Sequence, residues 1–136
     1  MEECIFCKIA QGKIPSAKVY EDDKVIAFLD IAPNNKGHCL VVPRAHSEDL
    51  LRMNEEDLSS IMGVSQKVAK ALTKAFDCHA FNLIMNNGKE AGQVVFHSHI
   101  HVIPRFENDG IKFAARHLNY EGNEKAECAE RIKKSI

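Results

Sequence analysis

The chain has 136 residues, 45% apolar and 27% charged, with a formal net charge of -1. That length fits one folded domain spanning residues 1–136, and the composition excludes wholesale disorder. The charge balance lacks the Lys/Arg excess of a polymeric nucleic-acid binder or a polybasic membrane anchor, and no apolar run reaches the ~20 residues of a membrane helix.

In chain order, Cys4 to Ala10 is short and mixed, one or two helical turns, and Ile14-Pro15-Ser16 breaks it. Lys18–Tyr20 and Lys24–Leu29 are expected strands around the turn Glu21-Asp22-Asp23. Residues 30–37 have the Pro, Asn and Gly of a loop, and His38–Val42 is expected to be a third strand ended by Pro43. Asn54 is suited to cap a helix whose first turn holds Glu55, Glu56 and Asp57. Leu58, Ile61, Met62, Ser65, Val68, Ala69, Leu72 and Phe76 then follow a helical rhythm for about 20 residues. Ala80–Met85 is a fourth expected strand, 86–92 a glycine-bearing loop, and Val94–Ile103 a fifth strand ended by Pro104. A charged helix is expected around 123–136. One long helix against hairpin-linked strands predicts an α+β domain with an antiparallel sheet.

The acidic opening Met1-Glu2-Glu3-Cys4 is unlike the basic start of a signal peptide, so the expected location is cytoplasmic. In that reducing compartment the five cysteines are expected to be thiols or ligands. The pair Cys4-x-x-Cys7 alone fits redox chemistry, metal binding or coincidence. Cys39, Cys78 and Cys128 have no neighbours in sequence that would activate them.

The segment His97-Ser98-His99-Ile100-His101-Val102-Ile103 carries the strongest signal. Side chains alternate across a strand, so His97, His99 and His101 share one face, with Ile100 and Val102 opposite. Three readings follow: nucleophilic attack by a neutral imidazole, a metal site, or a solvated polar face. Nearby loop residues favour chemistry on an anion. Gly88 and Gly92 let backbone N–H groups approach a phosphate, and Asn86 and Gln93 offer neutral donors. Asp30 suits either a ribose diol or a turn.

That segment resembles the signature of the histidine triad (HIT) superfamily. Cys4-Ile5-Phe6-Cys7-Lys8-Ile9, Ile14-Pro15, Phe28-Leu29-Asp30-Ile31-Ala32-Pro33, Gly37-His38, Pro43-Arg44-Ala45-His46 and Gly92-Gln93 resemble its Hint branch in the same order. The resemblance implies a five-stranded antiparallel sheet with one long and one or two short helices, in a homodimer. It implies a hydrolase cleaving the α-phosphate bond of nucleoside 5'-phosphoramidates (AMP-amines) through a nucleotidyl-histidine intermediate. A dinucleoside polyphosphate hydrolase and a nucleotide-binding module with little turnover are the alternatives. By resemblance His99 is the nucleophile, oriented by the His97 carbonyl, with His101 at the phosphate or leaving group and His38 beside them. Asn86, Gln93 and the Val94 position face the phosphate and Asp30 the ribose. Ile5, Phe6, Ile9, Ile14, Phe28 and Ile31 line the base pocket while also packing. Some relatives with the N-terminal thiol pair hold zinc, which here implies Cys4, Cys7, His46 and His97 as a structural site, with no catalytic cofactor. Val94 stands where many relatives have serine, and Ser98 where the motif has an apolar residue.

Overall fold

A computed structural model describes residues 3–136, and the acidic pair Met1-Glu2 lies outside the described residues. Five strands form one antiparallel sheet: β1 (Lys18–Glu21), β2 (Val25–Leu29), β3 (Cys39–Pro43), β4 (Ala80–Ile84) and β5 (Ile100–Arg105). Their order across the sheet is β1-β2-β3-β5-β4, so the last strand made sits between β3 and β4. The helices are α1 (Ile5–Ala10), α2 (Glu55–Ala75) and α3 (Glu124–Ser135). The architecture is the α+β one that the sequence predicts, with the five-stranded antiparallel sheet and one long helix that the resemblance implies.

The central strands β2 and β3 are buried on both faces. Val25, Ala27, Cys39, Val41, Ile100 and Val102 point toward α2 and meet its Ile61, Val64, Val68, Ala69 and Leu72. The alternate residues Ile26, Phe28, Leu40 and Val42 point the other way and meet Phe6 and Ile9 of α1. This is why β2 and β3 read as unbroken apolar runs rather than alternating ones. Helix α2 starts where the Asn54 Oδ1 accepts the Asp57 N–H at 2.7 Å. Met62 and Phe76, expected on its buried face, are 49% and 44% exposed, and Val64 is buried instead. The buried Ser65 is satisfied by donating to the Ile61 carbonyl at 2.7 Å.

Gly37, just before β3, has φ +100°, and a Cβ there would lie 2.8 Å from Phe76 Cε2. Only glycine lets the loop lie against the end of α2.

The fifth strand differs from expectation at both ends. It begins at Ile100, not Val94, because β3 pairs only with Ile100–Val102 and β4 with His101–Arg105. Residues 94–99 have no strand partner among the described residues, and the Ser98 N–H goes to the Ser47 carbonyl at 2.7 Å. Pro104 does not end the strand: it pairs with Phe81 of β4 beyond the β3 register, where a missing N–H is tolerated as on an edge. Two short 3-10 turns, Leu50–Arg52 and Lys89–Ala91, add to the expected elements, the second of them inside the glycine-bearing loop. Helix α3 buries none of its residues. No helix among the described residues is long and apolar enough to cross a membrane.

Candidate functional site

Three histidines have their ring nitrogens assigned by backbone partners, and a fourth, His101, is assigned through His38. His99 Nδ1 lies 2.7 Å from the His97 carbonyl. A carbonyl only accepts, so Nδ1 carries the proton and Nε2 holds a lone pair. That Nε2 has no hydrogen-bond partner among the described residues and is not sealed from solvent. The edge of Phe6 packs against the ring, centroids 5.1 Å apart, and fixes its plane.

His38 Nδ1 accepts the Asn34 N–H at 3.0 Å, so His38 carries its proton on Nε2. That nitrogen lies 2.9 Å from His101 Nδ1, which must therefore accept. The remaining proton of His101 is then on Nε2, with no partner among the described residues and open to solvent. The rings of His99 and His101 are 4.9 Å apart. One presents a lone pair and its neighbour an N–H, a matched nucleophile and donor.

Burial keeps this group neutral. It lowers the pKa of His99, opposed by the hydrogen bond to the His97 carbonyl and by Asp30. His101 falls to about 4 through burial and then through its neighbours His99 and His38. His38 is lowered by burial, opposed by Asp30. Asp30, His38 and His101 also converge closely enough to hold a cation. The Asn34 N–H argues against one: a metal on His38 Nε2 requires a proton on Nδ1, which would face that N–H donor at 3.0 Å.

His97 turns to a different task. It is fully buried, its Nε2–H donates to the Pro43 carbonyl at 2.7 Å, and Nδ1 holds the lone pair. Around Nδ1 stand Cys4 Sγ at 3.3 Å, Cys7 Sγ at 3.5 Å and His46 Nδ1 at 3.2 Å. Cys7 Sγ also lies 3.5 Å from His46 Nδ1. Zinc with bonds of about 2.3 Å to sulfur and about 2.05 Å to nitrogen implies tetrahedral edges of about 3.3 Å (N to N) and about 3.5 Å (N to S). The observed separations match those edges. A single lone pair has no use for three such neighbours without a cation between them, and a carbonyl fixing the far ring nitrogen is usual for a ligating histidine. The four residues fit a closed zinc site. Burial and the nearby Cys4 raise the Cys7 thiol, a tendency that a dication reverses.

The other expected residues fall into three groups. Of the two readings the sequence left open for Asp30, the turn is seen: Oδ1 accepts the Ala32 N–H at 2.9 Å, while Oδ2 lies 3.6 Å from His38 Nε2. Gln93 is buried and its amide is spent on backbone, accepting from Gly88 N at 2.8 Å and donating to Glu48 O at 2.6 Å and Val95 O at 3.1 Å. It braces the loop, and any effect on a phosphate runs through that loop. Asn86 lies beside Gly92, whose φ of +93° turns the chain back. Val94 is 86% exposed. Phe6, Ile9 and Phe28 are buried in the core, with Ile14 packed at its margin, while Ile5 and Ile31 are exposed.

Sequence reasoning missed several supports. Ser47 meets Ser98, Oγ to Oγ at 3.0 Å, so the polar residue in the motif is paired rather than unsatisfied. Asn87 Oδ1 accepts the Leu50 N–H at 2.7 Å. Asn35 and Asp109 join the 30–37 loop to the end of β5. Only the Asn-rich composition of that loop hinted at such partners. Cys39 is raised to about 11 by burial, consistent with an inert thiol.

Comparison with known proteins places this geometry. The family model described as HIT domain matches residues 11–108. Protein hit of Bacillus subtilis (strain 168) is 44% identical over 135 residues, 99% of this chain and 92% of that protein. The adenosine 5'-monophosphoramidase hnt1 of Schizosaccharomyces pombe is 43% identical, covering 75% of this chain and 74% of its own. The adenylylsulfatase HINT3 of Arabidopsis thaliana is 37% identical, covering 95% and 68%. A crystal structure of a HIT family protein from Bacillus anthracis superposes with a TM-score of 0.91 at 41% identity, covering 99% of this chain and 98% of that one. A Zn-bound histidine triad family protein from Mycobacterium smegmatis gives 0.79 at 30% identity, covering 99% of each.

Proposed function

The chain belongs to the HIT domain family, and on that premise we propose that it is a nucleotide hydrolase that cleaves the P–N bond of adenosine 5'-phosphoramidates. The observation that carries this is the 2.7 Å bond from His99 Nδ1 to the His97 carbonyl, which leaves the Nε2 lone pair facing out. The similarity to the S. pombe phosphoramidase supports it.

His99 Nε2 attacks the α-phosphorus and forms an N–P bond as the P–N bond to the amine breaks. The bridging nitrogen takes the proton from His101 Nε2 and leaves as a neutral amine. Positive charge on the phosphorylated His99 ring offsets the charge left on His101 and is stabilised by the His97 carbonyl. Water then attacks phosphorus, returns a proton to His101 Nε2, and releases AMP with His99 restored. Asp30 Oδ2 binds the ribose diol, and the loop braced by Gln93, with Asn86, presents donors to the phosphate. The exposed Ile5 and Ile31 cover the base, backed by the buried Phe6, Ile9, Ile14 and Phe28.

A structural zinc on Cys4, Cys7, His46 and His97 would tie the N-terminal segment to the histidine segment and hold the His97 carbonyl in place. The Zn-bound M. smegmatis relative supports this assignment. We also infer a homodimer. Among the described residues β4 pairs only with β5, and Phe81 and Leu83 on that edge are 42% and 40% exposed. A second copy adding its own β4 edge satisfies both the strand and the apolar side chains. A mass by light scattering equal to one chain would refute it.

Brief mixing with an AMP-amine followed by mass spectrometry tests the mechanism: AMP on His99 is expected. Asn at position 99 (His99→Asn) should abolish turnover with the fold retained. Retention of most activity, or AMP on another residue, would overturn it. Diadenosine polyphosphate run alongside should be cut far more slowly.

A further inference from the structure

The N–H of Asn34 is the donor that assigns the whole His38–His101 relay, yet it sits in an exposed loop. What holds it there is the next residue. The Asn35 side-chain amide donates to the Pro104 carbonyl at 2.8 Å and to Asp109 Oδ2 at 3.0 Å, and the Asn35 carbonyl accepts the His38 N–H at 3.0 Å. Asp109 is itself fixed. Arg105 Nε donates to its Oδ2 at 2.8 Å and Nη2 to its Oδ1 at 3.1 Å. The N–H groups of Phe106 and Ile111 donate to the same carboxylate, each at 3.1 Å. These donors hold the Asp109 carboxyl well below the usual carboxylate range, so it stays an acceptor throughout the working pH. The clasp thus joins the loop before β3 to the end of β5, the strand that carries His101.

We propose that Asn35, anchored by Asp109, is a positioning residue: by locking the loop it keeps the Asn34 N–H on His38 Nδ1 and so keeps the transferable proton of the pair on His101 Nε2. Without the clasp, the Asn34 N–H swings away and His38 Nδ1 is free to carry the proton. His38 Nε2 then accepts from His101 Nδ1–H, and His101 Nε2 becomes a lone pair. No proton is gained or lost; the two rings exchange tautomers. His99 is untouched, since its own tautomer depends on the His97 carbonyl. This inference rests on the reading of His101 as the donor to the leaving group.

Asn35→Asp preserves shape but removes both donors and sets a carboxylate against Asp109; Asn35→Ala removes the amide altogether. Two measurements test the clasp in both variants. Nitrogen NMR of ring-labelled histidine reads the tautomers directly: His38 Nε2–H and His101 Nε2–H are expected in the native protein, and loss of that pattern in the variants. Turnover of an AMP-alkylamine, which needs a proton on its leaving group, should fall roughly ten- to hundredfold in kcat with KM little changed. Turnover of AMP p-nitrophenyl ester, whose leaving group departs as an anion, should change by less than about threefold. Native tautomers persisting in both variants, or an equal loss on both substrates, would overturn the inference. If the native protein proves inactive on AMP-amines, the functional reading fails, while the nitrogen spectra still decide whether Asn35 sets the tautomers. A variant that does not fold is replaced by Asp109→Asn, which loosens the clasp from its far end and is read the same way.

Discussion

Replacing Gly37 by Ala probes the packing that delivers His38 to the site. Two costs add. A side chain at φ +100° occupies backbone space that L residues rarely use, at about 1–3 kcal/mol. The new Cβ also meets Phe76 Cε2 at 2.8 Å and Leu72 Cδ2 at 3.2 Å, an overpacking cost of about 1–3 kcal/mol. Phe76 is 44% exposed and its ring can give way, which puts the steric part near the lower end. The sum is about 3 kcal/mol, read by denaturant unfolding of matched samples. The two parts separate in a double-mutant cycle with Phe76→Ala: removing the ring should restore about 1 kcal/mol of the loss and leave the backbone part. A total cost under about 0.5 kcal/mol would refute the reasoning, and so would a cycle with no coupling, because it would show that the loop does not lean on the end of α2.

Cys7→Ser should take the zinc content of freshly purified protein from about one per chain to near zero and lower the melting temperature by at least about 5 °C. An unchanged metal content would dismiss the four-residue site. Gln93→Ala removes one acceptor and two donors that brace the loop. It should cost about 2 kcal/mol of stability and raise KM more than it lowers kcat; unaltered stability would show that the loop holds its own shape. The pH dependence follows from His101, whose pKa drops from 6.5 to about 4 on folding. Between those values the unfolded chain binds the extra proton and the folded one does not, so stability is full above pH 6.5 and declines as pH falls toward 4. This residue contributes a slope of up to about 1.4 kcal/mol per pH unit, which His101→Gln should remove. Parallel unfolding profiles for the two proteins would contradict it.

The sequence reveals faces better than ends. The capped start of α2 was legible because Asn54 and the acidic first turn act locally. The alternation in residues 97–103 correctly predicts that Ile100 and Val102 join the core under α2. It says nothing about where pairing starts, since that depends on how far β3 and β4 reach along β5. Pro104 looked like a stop because a proline interrupts a strand flanked on both sides, and the missing neighbour was invisible. The thiol and imidazole cluster was legible through its resemblance to relatives. The Asn35–Asp109 clasp was not, because it joins residues 74 apart and neither carries a motif.

The order of the strands has a consequence for how the chain is made on the ribosome. Cys4 and Cys7 meet His97 across 93 and 90 positions. β4 cannot join the growing sheet until β5, synthesised later, wedges in beside it. The two thiols at the first helix therefore wait for one of the last segments, and contacts so distant along the chain slow folding. Until then α1 rests on β2 and β3 through Phe6 and Ile9, but the β3 edge that will pair with Ile100–Val102 has no partner, and a nascent chain halted before residue 97 would present that edge to any chaperone or protease within reach.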